Sequence, residues 1–246
     1  MNARTLVVIA AMLCAGEAGA HGGLADLTVY DRTEGRRLAV HWHEGRAYVV
    51  GKPGNEYRVS VRNRLREEVL AVVSVDGINV VSGETASPSQ AGYVLGASQS
   101  YDILGWRKSL AETAAFYFTA LPDSYAARTG RPDDVGVIGV ALFRRKRSEQ
   151  PIAEAQPRAE ARRDAAGAPA AAESRIGTGH GRRENSPTHQ VAFERATPGP
   201  AETVVLYYDS YANLLARGVI REPVPVAPLP RPFPSNVPGF VPDPRG

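Results

Sequence analysis

The chain has 246 residues, 43% of them hydrophobic, with 29 Lys+Arg against 26 Asp+Glu for a net charge of +3. Lys52, Lys108 and Lys146 are its only lysines; the arginine excess is mild and reads as composition, not as nucleic-acid recognition, though such a surface can meet anionic lipid or polysaccharide. Cys14 is the single cysteine, and its N-terminal position excludes disulfides, thiol catalysis and thiolate metal sites from the remainder of the chain.

Residues 1–20 read as a secretory signal. Arg4 supplies the positive start, residues 5–15 are apolar, and Ala18-Gly19-Ala20 places small residues where signal peptidase needs them. This predicts cleavage after Ala20 and an exported protein, periplasmic or secreted. An apolar run this short does not cross a bilayer core, which needs about 20 residues, and no later stretch is long enough, so no transmembrane segment is expected after cleavage. Ala11-Met12-Leu13 before Cys14 inverts the order of a lipid-attachment signal.

Residues 21–146 predict one β domain. Val40-His41-Trp42-His43 and Arg46-Ala47-Tyr48-Val49 flank Glu44-Gly45 as a hairpin with a two-residue loop. That loop pairs His43 with Arg46, Trp42 with Ala47 and His41 with Tyr48. Val40, Trp42, Ala47 and Val49 are then expected to face the core, and His41, His43, Arg46 and Tyr48 the solvent. Residues 57–62 alternate strictly, residues 69–75 are a near-continuous apolar run, and Asp76-Gly77 reverses the chain into a strand over 78–81. Further strands are expected over 92–95, 100–106, 114–120 and 135–143. Gly136 and Gly139 mark the last as a central strand closely approached by a neighbour. Between the last two, Asp123-Ser124-Tyr125-Ala126 caps a short helix that Gly130 ends.

Residues 147–176 turn to alanine, arginine, glutamate and proline, a composition too poor in large apolar groups to offset its ordering entropy, and predict a disordered linker. Residues 177–222 predict a small strand-strand-helix appendage, with strands over 190–195 and 203–208 and a helix over 210–217 closed by Gly218. Asp209-Ser210-Tyr211-Ala212 repeats the earlier tetrapeptide and implies the same cap used twice. Residues 223–246 contain nine prolines and predict an extended tail, whose Pro225-Val226-Ala227-Pro228 reads as spacer. The fold class expected is all-β: an antiparallel, jelly-roll-like sandwich with this appendage, linker and tail.

Residues 75–83, with Gly105-Trp106-Arg107, Asp123-Ser124-Tyr125-Ala126 and residues 135–143, resemble an uncharacterised group of bacterial exported proteins. The resemblance covers about residues 57–145 and implies a β-rich domain; it brings no ligand or catalytic residue with it.

Phosphate-binding motifs fail on spacing. The glycines before Lys52 are wrongly spaced and Pro53 replaces the Ser or Thr of a P-loop, while Gly177-Thr178-Gly179-His180-Gly181 lacks the spacing of a dinucleotide fingerprint. Histidine is the informative type. Cleavage leaves His21 with a free amine, and His41 and His43 share one strand face, so His21, His41 and His43 form a candidate copper or zinc site. His180, Glu184 and His189 form a second candidate. Trp106, Tyr93, Tyr101, Tyr117, Tyr207, Tyr208 and Tyr211 could stack on sugars, though packing is the commoner fate of strand aromatics. Asp102, Glu112 and Asp123 are possible acid/base groups that nothing in the sequence pairs. The expected role is envelope-associated binding or scaffolding without catalysis, with an envelope protein or polysaccharide as partner. The alternative is a metal-binding protein or metal-dependent enzyme built on the three histidines.

Overall fold

A computed structural model describes residues 20–147 and 175–221. The expected secretory signal apart from Ala20, nearly all of the 147–176 linker and the proline-rich tail lie outside the described residues. The strands are β1 (Ala20–His21), β2 (Ala25–Asp31), β3 (Arg36–Arg37), β4 (Val40–His43), β5 (Arg46–Val50), β6 (Glu56–Asn63), β7 (Val69–Val75), β8 (Ile78–Asn79), β9 (Tyr93–Leu95), β10 (Ser100–Ile103), β11 (Gly105–Arg107), β12 (Glu112–Ala120), β13 (Val137–Arg144), β14 (Ile176–Asn185) and β15 (Glu202–Asp209). Two short helices follow β12 and β15: α1 (Tyr125–Arg128) and α2 (Tyr211–Ala216).

The fold is an all-β sandwich of two sheets. One has the order β1-β2-β6-β12-β11, with β3, β10 and β14 attached; the other runs β4-β5-β15-β13-β7-β8, with β9 on β7. Strict alternation builds the facing surfaces. β2 buries Leu27 and Val29, β6 buries Tyr57, Val59 and Val61, and β7 contributes Val69, Ala71, Val73 and Val75 to the same core. Phe116 and Phe118 from β12 complete an aromatic stack on Tyr57, with Phe118 at 4.2 Å between ring centroids.

Both hairpin turns form as their dipeptides predict. Glu44 and Gly45 have φ of 49° and 73°, Asp76 and Gly77 of 52° and 70°, and β4 pairs with β5 in the expected register. The two serine caps are alike: Ser124 Oγ accepts from the Ala127 amide at 3.1 Å and Ser210 Oγ from the Asn213 amide at 3.2 Å. Gly139 stands opposite Ser74, whose Oγ would lie 2.9 Å from an added Cβ, so the central strand is closely approached as expected.

Several expectations are corrected. The strand after Asp76-Gly77 ends at Asn79 because its side-chain oxygen accepts from the Val81 and Ser82 amides and turns the chain. Residues 100–106 split into β10 on β6 and β11 on β12, crossing where an added Gly105 Cβ would sit 1.9 Å from the Ala114 carbonyl. Trp42 is 60% exposed, since β4 is the outermost strand of its sheet. Tyr48 is buried, because α2 lays Leu214, with Val219 and Ile220 beyond it, over the face expected to be solvated.

The largest correction concerns the segment expected over 177–222: its described strands, β14 and β15, are built into the two sheets and form no appendage. β14 pairs along most of β12, and β15 lies between β13 and β5. The β5–β15 pair is parallel, so the sandwich is not wholly antiparallel. Residues 190–195 form no strand; Arg195 makes one bridge to Arg145. Glycine conceals β14: Tyr117 lies across it, its ring 2.1 Å from where a Gly179 Cβ would be.

Candidate functional site

A cleft of about 830 Å³ lies beside β9, on the margin of the second sheet. Its construction starts at Gly92, where an added Cβ would meet the Ala71 carbonyl at 2.3 Å, so β9 can begin flush against β7. Asn63, fully buried, then fixes the end of β9 by donating to the carbonyls of Leu95 and Gly96. The chain crosses to the first sheet through Ser98, whose φ is 56°, and Tyr101 on β10 meets Tyr93 with ring centroids 5.0 Å apart. Arg107 on β11 braces this contact by donating to the Tyr93 hydroxyl from Nε at 3.3 Å and from Nη2 at 3.2 Å.

An arm over residues 186–195 forms the opposite wall. At its start the Ser186 and Thr188 amides donate to Ala111 and Leu110, and Arg107 donates to the Ser186 carbonyl. At its end the Glu194 carbonyl accepts from Lys146, and Arg195 donates to the Gln90 carbonyl at 2.6 Å while its guanidinium lies 4.2 Å from the Phe143 ring centre. Phe193 packs on Leu70 and Phe143 of the outer sheet face. Between these anchors residues 189–193 make no backbone–backbone hydrogen bond among the described residues. The arm is pinned at both ends, and between them by Arg145 Nη2, which donates to the Ala192 carbonyl at 3.1 Å.

The charges of the cleft are unevenly matched. Glu68 pairs with Arg145 at 2.7 Å, whereas Arg107 and Arg195 bond only to neutral oxygens among the described residues. Burial lowers the Arg195 pKa and raises that of the Tyr93 phenol, which Arg107 opposes. Leu110 and Val191, both about half exposed, flank the opening. Exposed large apolar side chains gathered at one cleft are a feature of binding surfaces.

The other polar cluster is sealed. Asp76 accepts from the Tyr208 hydroxyl, the Gly136 amide and the Thr178 amide, and the Thr178 hydroxyl bonds both Tyr57 and Tyr208. All four side chains are buried, so the cluster holds the sheets together and meets no solute.

His41 and His43 are brought to one face of β4, half buried, with His43 Nε2 3.7 Å from Glu44. The His21 backbone lies elsewhere. β1 belongs to the first sheet, and neighbouring Gly23 and Leu24 donate to Glu202 at the start of β15. His41 faces Tyr48, which pairs with Tyr207, five residues on; at about 3.3 Å per residue that is roughly 16 Å along the strand. Among the described residues no three His, Cys, Asp or Glu side chains gather in a group suited to a metal.

The second histidine candidate is also dispersed. Glu184 is held by a two-pronged contact from Arg32, His180 lies against Tyr125, and His189 stands on the arm. Burial lowers the His180 pKa, assisted by Lys108. Of the aromatic candidates, Tyr93 and Tyr101 line the cleft, Trp106 and Tyr208 are core, and Tyr211 is exposed on α2. Asp102 pairs with Arg58 and Glu112 with Arg183. No local sequence pattern marks Arg107 or Arg195 as a site residue; only the closure of the arm over β9 does. No family model, curated protein or solved structure matches this chain.

Proposed function

We propose that this is an exported, envelope-associated binding protein without catalytic activity, and that its ligand occupies the cleft between β9 and the 186–195 arm. One observation carries the reading: an 830 Å³ concavity, within the size range of ligand sites, whose walls come from both sheets and whose rim exposes Leu110 and Val191. The acid that lines it, Glu68, is committed to Arg145, which suits recognition better than proton transfer. Export is supported by the charge, apolar run and small residues of 1–20.

The test is an array of soluble envelope polysaccharide fragments and immobilised peptides, probed with the native protein and with Leu110→Glu and Val191→Glu variants. Both positions are exposed, so the substitutions should leave the melting temperature unchanged. Ligands whose signal falls about tenfold or more in the variants support the cleft. An array with no ligand, or ligands indifferent to both changes, contradicts it.

A further inference from the structure

Taking the cleft as the binding site, we propose that its ligand is an extended acidic peptide that adds to the free edge of β9 as a further strand. β9 pairs with β7 and with no other strand among the described residues, so its second edge borders the cleft unpaired. The Val73 carbonyl accepts from the Val80 amide on this edge of β7, so with a period of two Val69 and Ala71 also turn their main chain to β9. Their partners Leu95 and Tyr93 bond into β7, and the Val94 main chain points outward. No backbone group outside the ladder bonds Val94, which lines the cleft. Facing it, residues 189–193 of the arm make no backbone–backbone hydrogen bond among the described residues, the Ala192 carbonyl alone being taken by the Arg145 side chain. A gap between the outward main chain of Val94 and an arm with most of its main chain open suits a ligand that brings its own N–H and C=O groups at strand spacing.

Charge selects the kind of peptide. Among the described residues Arg107 and Arg195 line the cleft with neutral hydrogen-bond partners only, and Arg145 is already answered by Glu68, so the surplus is positive and favours carboxylates. Leu110 and Val191 offer apolar contact to alternate side chains of an added strand. A sugar is less well served. Tyr93 is buried, packs against Tyr101, and its hydroxyl is taken by Arg107, which leaves little open ring face for stacking.

The experiment is selection from a displayed library of random octapeptides, followed by titration of synthetic copies of the selected sequences. Enrichment should favour acidic, β-branched, proline-poor peptides. N-methylation at alternate amides of a selected peptide should weaken binding about tenfold or more, as should Leu110→Glu and Val191→Glu with the fold intact. Enrichment of basic or proline-rich sequences, no enrichment, or binding indifferent to N-methylation overturns the proposal. If the library yields nothing while anionic polysaccharide fragments bind and are lost in the two variants, the peptide falls and the binding reading stands. If neither class binds, both fall.

Discussion

The Tyr208 hydroxyl donates to Asp76 Oδ1 at 2.5 Å, joining the β7–β8 turn to a strand 132 residues later in the chain. The same carboxylate accepts from the Gly136 amide at 2.9 Å and from the Thr178 amide at 2.7 Å, so one buried group ties β13, β14 and β15 to that turn. No cation stands among those partners. Burial pushes the Asp76 carboxyl up from 3.8 to about 6, outweighing the hydrogen bonds that pull it down.

This fixes a sign for the pH dependence of stability. Between about pH 4 and 6 the folded protein holds a proton on Asp76 that the unfolded chain has released. The stabilisation is therefore complete below pH 4 and is lost as pH rises through 6, by about 3 kcal/mol for a shift of roughly two units. Asp76→Asn tolerates the positive φ and lacks the descent. Glu34, held down to about 2 by Lys52 and Arg36, gives a slope of the opposite sign at lower pH, common to both proteins and removed by subtraction. Urea unfolding across pH 4–7 checks this; a wild-type curve that rises relative to Asp76→Asn contradicts it.

A chain ending at Arg147 should not fold cooperatively. It lacks β14 and β15, and β15 separates β5 from β13 in the middle of the second sheet. Circular dichroism melting of this truncation should show no sharp transition, whereas a protein nicked after Arg147 should keep its two pieces together. A stable, monomeric 20–147 fragment would show that the second sheet closes without β15.

Gly77→Val should destabilise by about 1–3 kcal/mol through the positive φ of the turn. Its φ is 70°, and an added Cβ would also meet Asp134 Cβ at 2.7 Å. An unchanged melting temperature would mean the turn relaxes at no cost.

The two caps should differ in weight. Ser210→Ala removes one bond to a helix N-terminus and should cost about 1 kcal/mol. Ser124 is fully buried and its hydroxyl also donates to the Leu121 carbonyl at 2.7 Å, so Ser124→Ala should cost more. Equal losses in thermal unfolding would remove the argument from burial.

The sequence is most readable where one residue has to satisfy a local rule. Gly45 and Gly77 announce their turns, Ser124 and Ser210 their helices, and the apolar run over Val69–Val75 is a strand end to end. It is least readable where partners are remote. Gly177, Gly179 and Gly181 carry little strand preference, and their place beside β12 rests on packing against Ser124, Val135, Tyr117 and Ala115. Trp42 obeys the alternation of its hairpin but stands where the sandwich ends, so the rule mistakes its surroundings. The cleft joins Tyr93 and Arg107 to Val191 and Arg195, about a hundred positions away, and no periodicity encodes that meeting.

The most direct measurement is an amide-by-amide hydrogen-exchange map of the native protein, free and saturated with the ligand selected above. The account predicts slowed exchange at Val94 and across 189–193, with the β4–β5 hairpin unchanged, because an added ligand gives the unpaired main chain of the cleft its partners. Protection confined to His41, His43 and their neighbours, with the cleft unaltered, would contradict it.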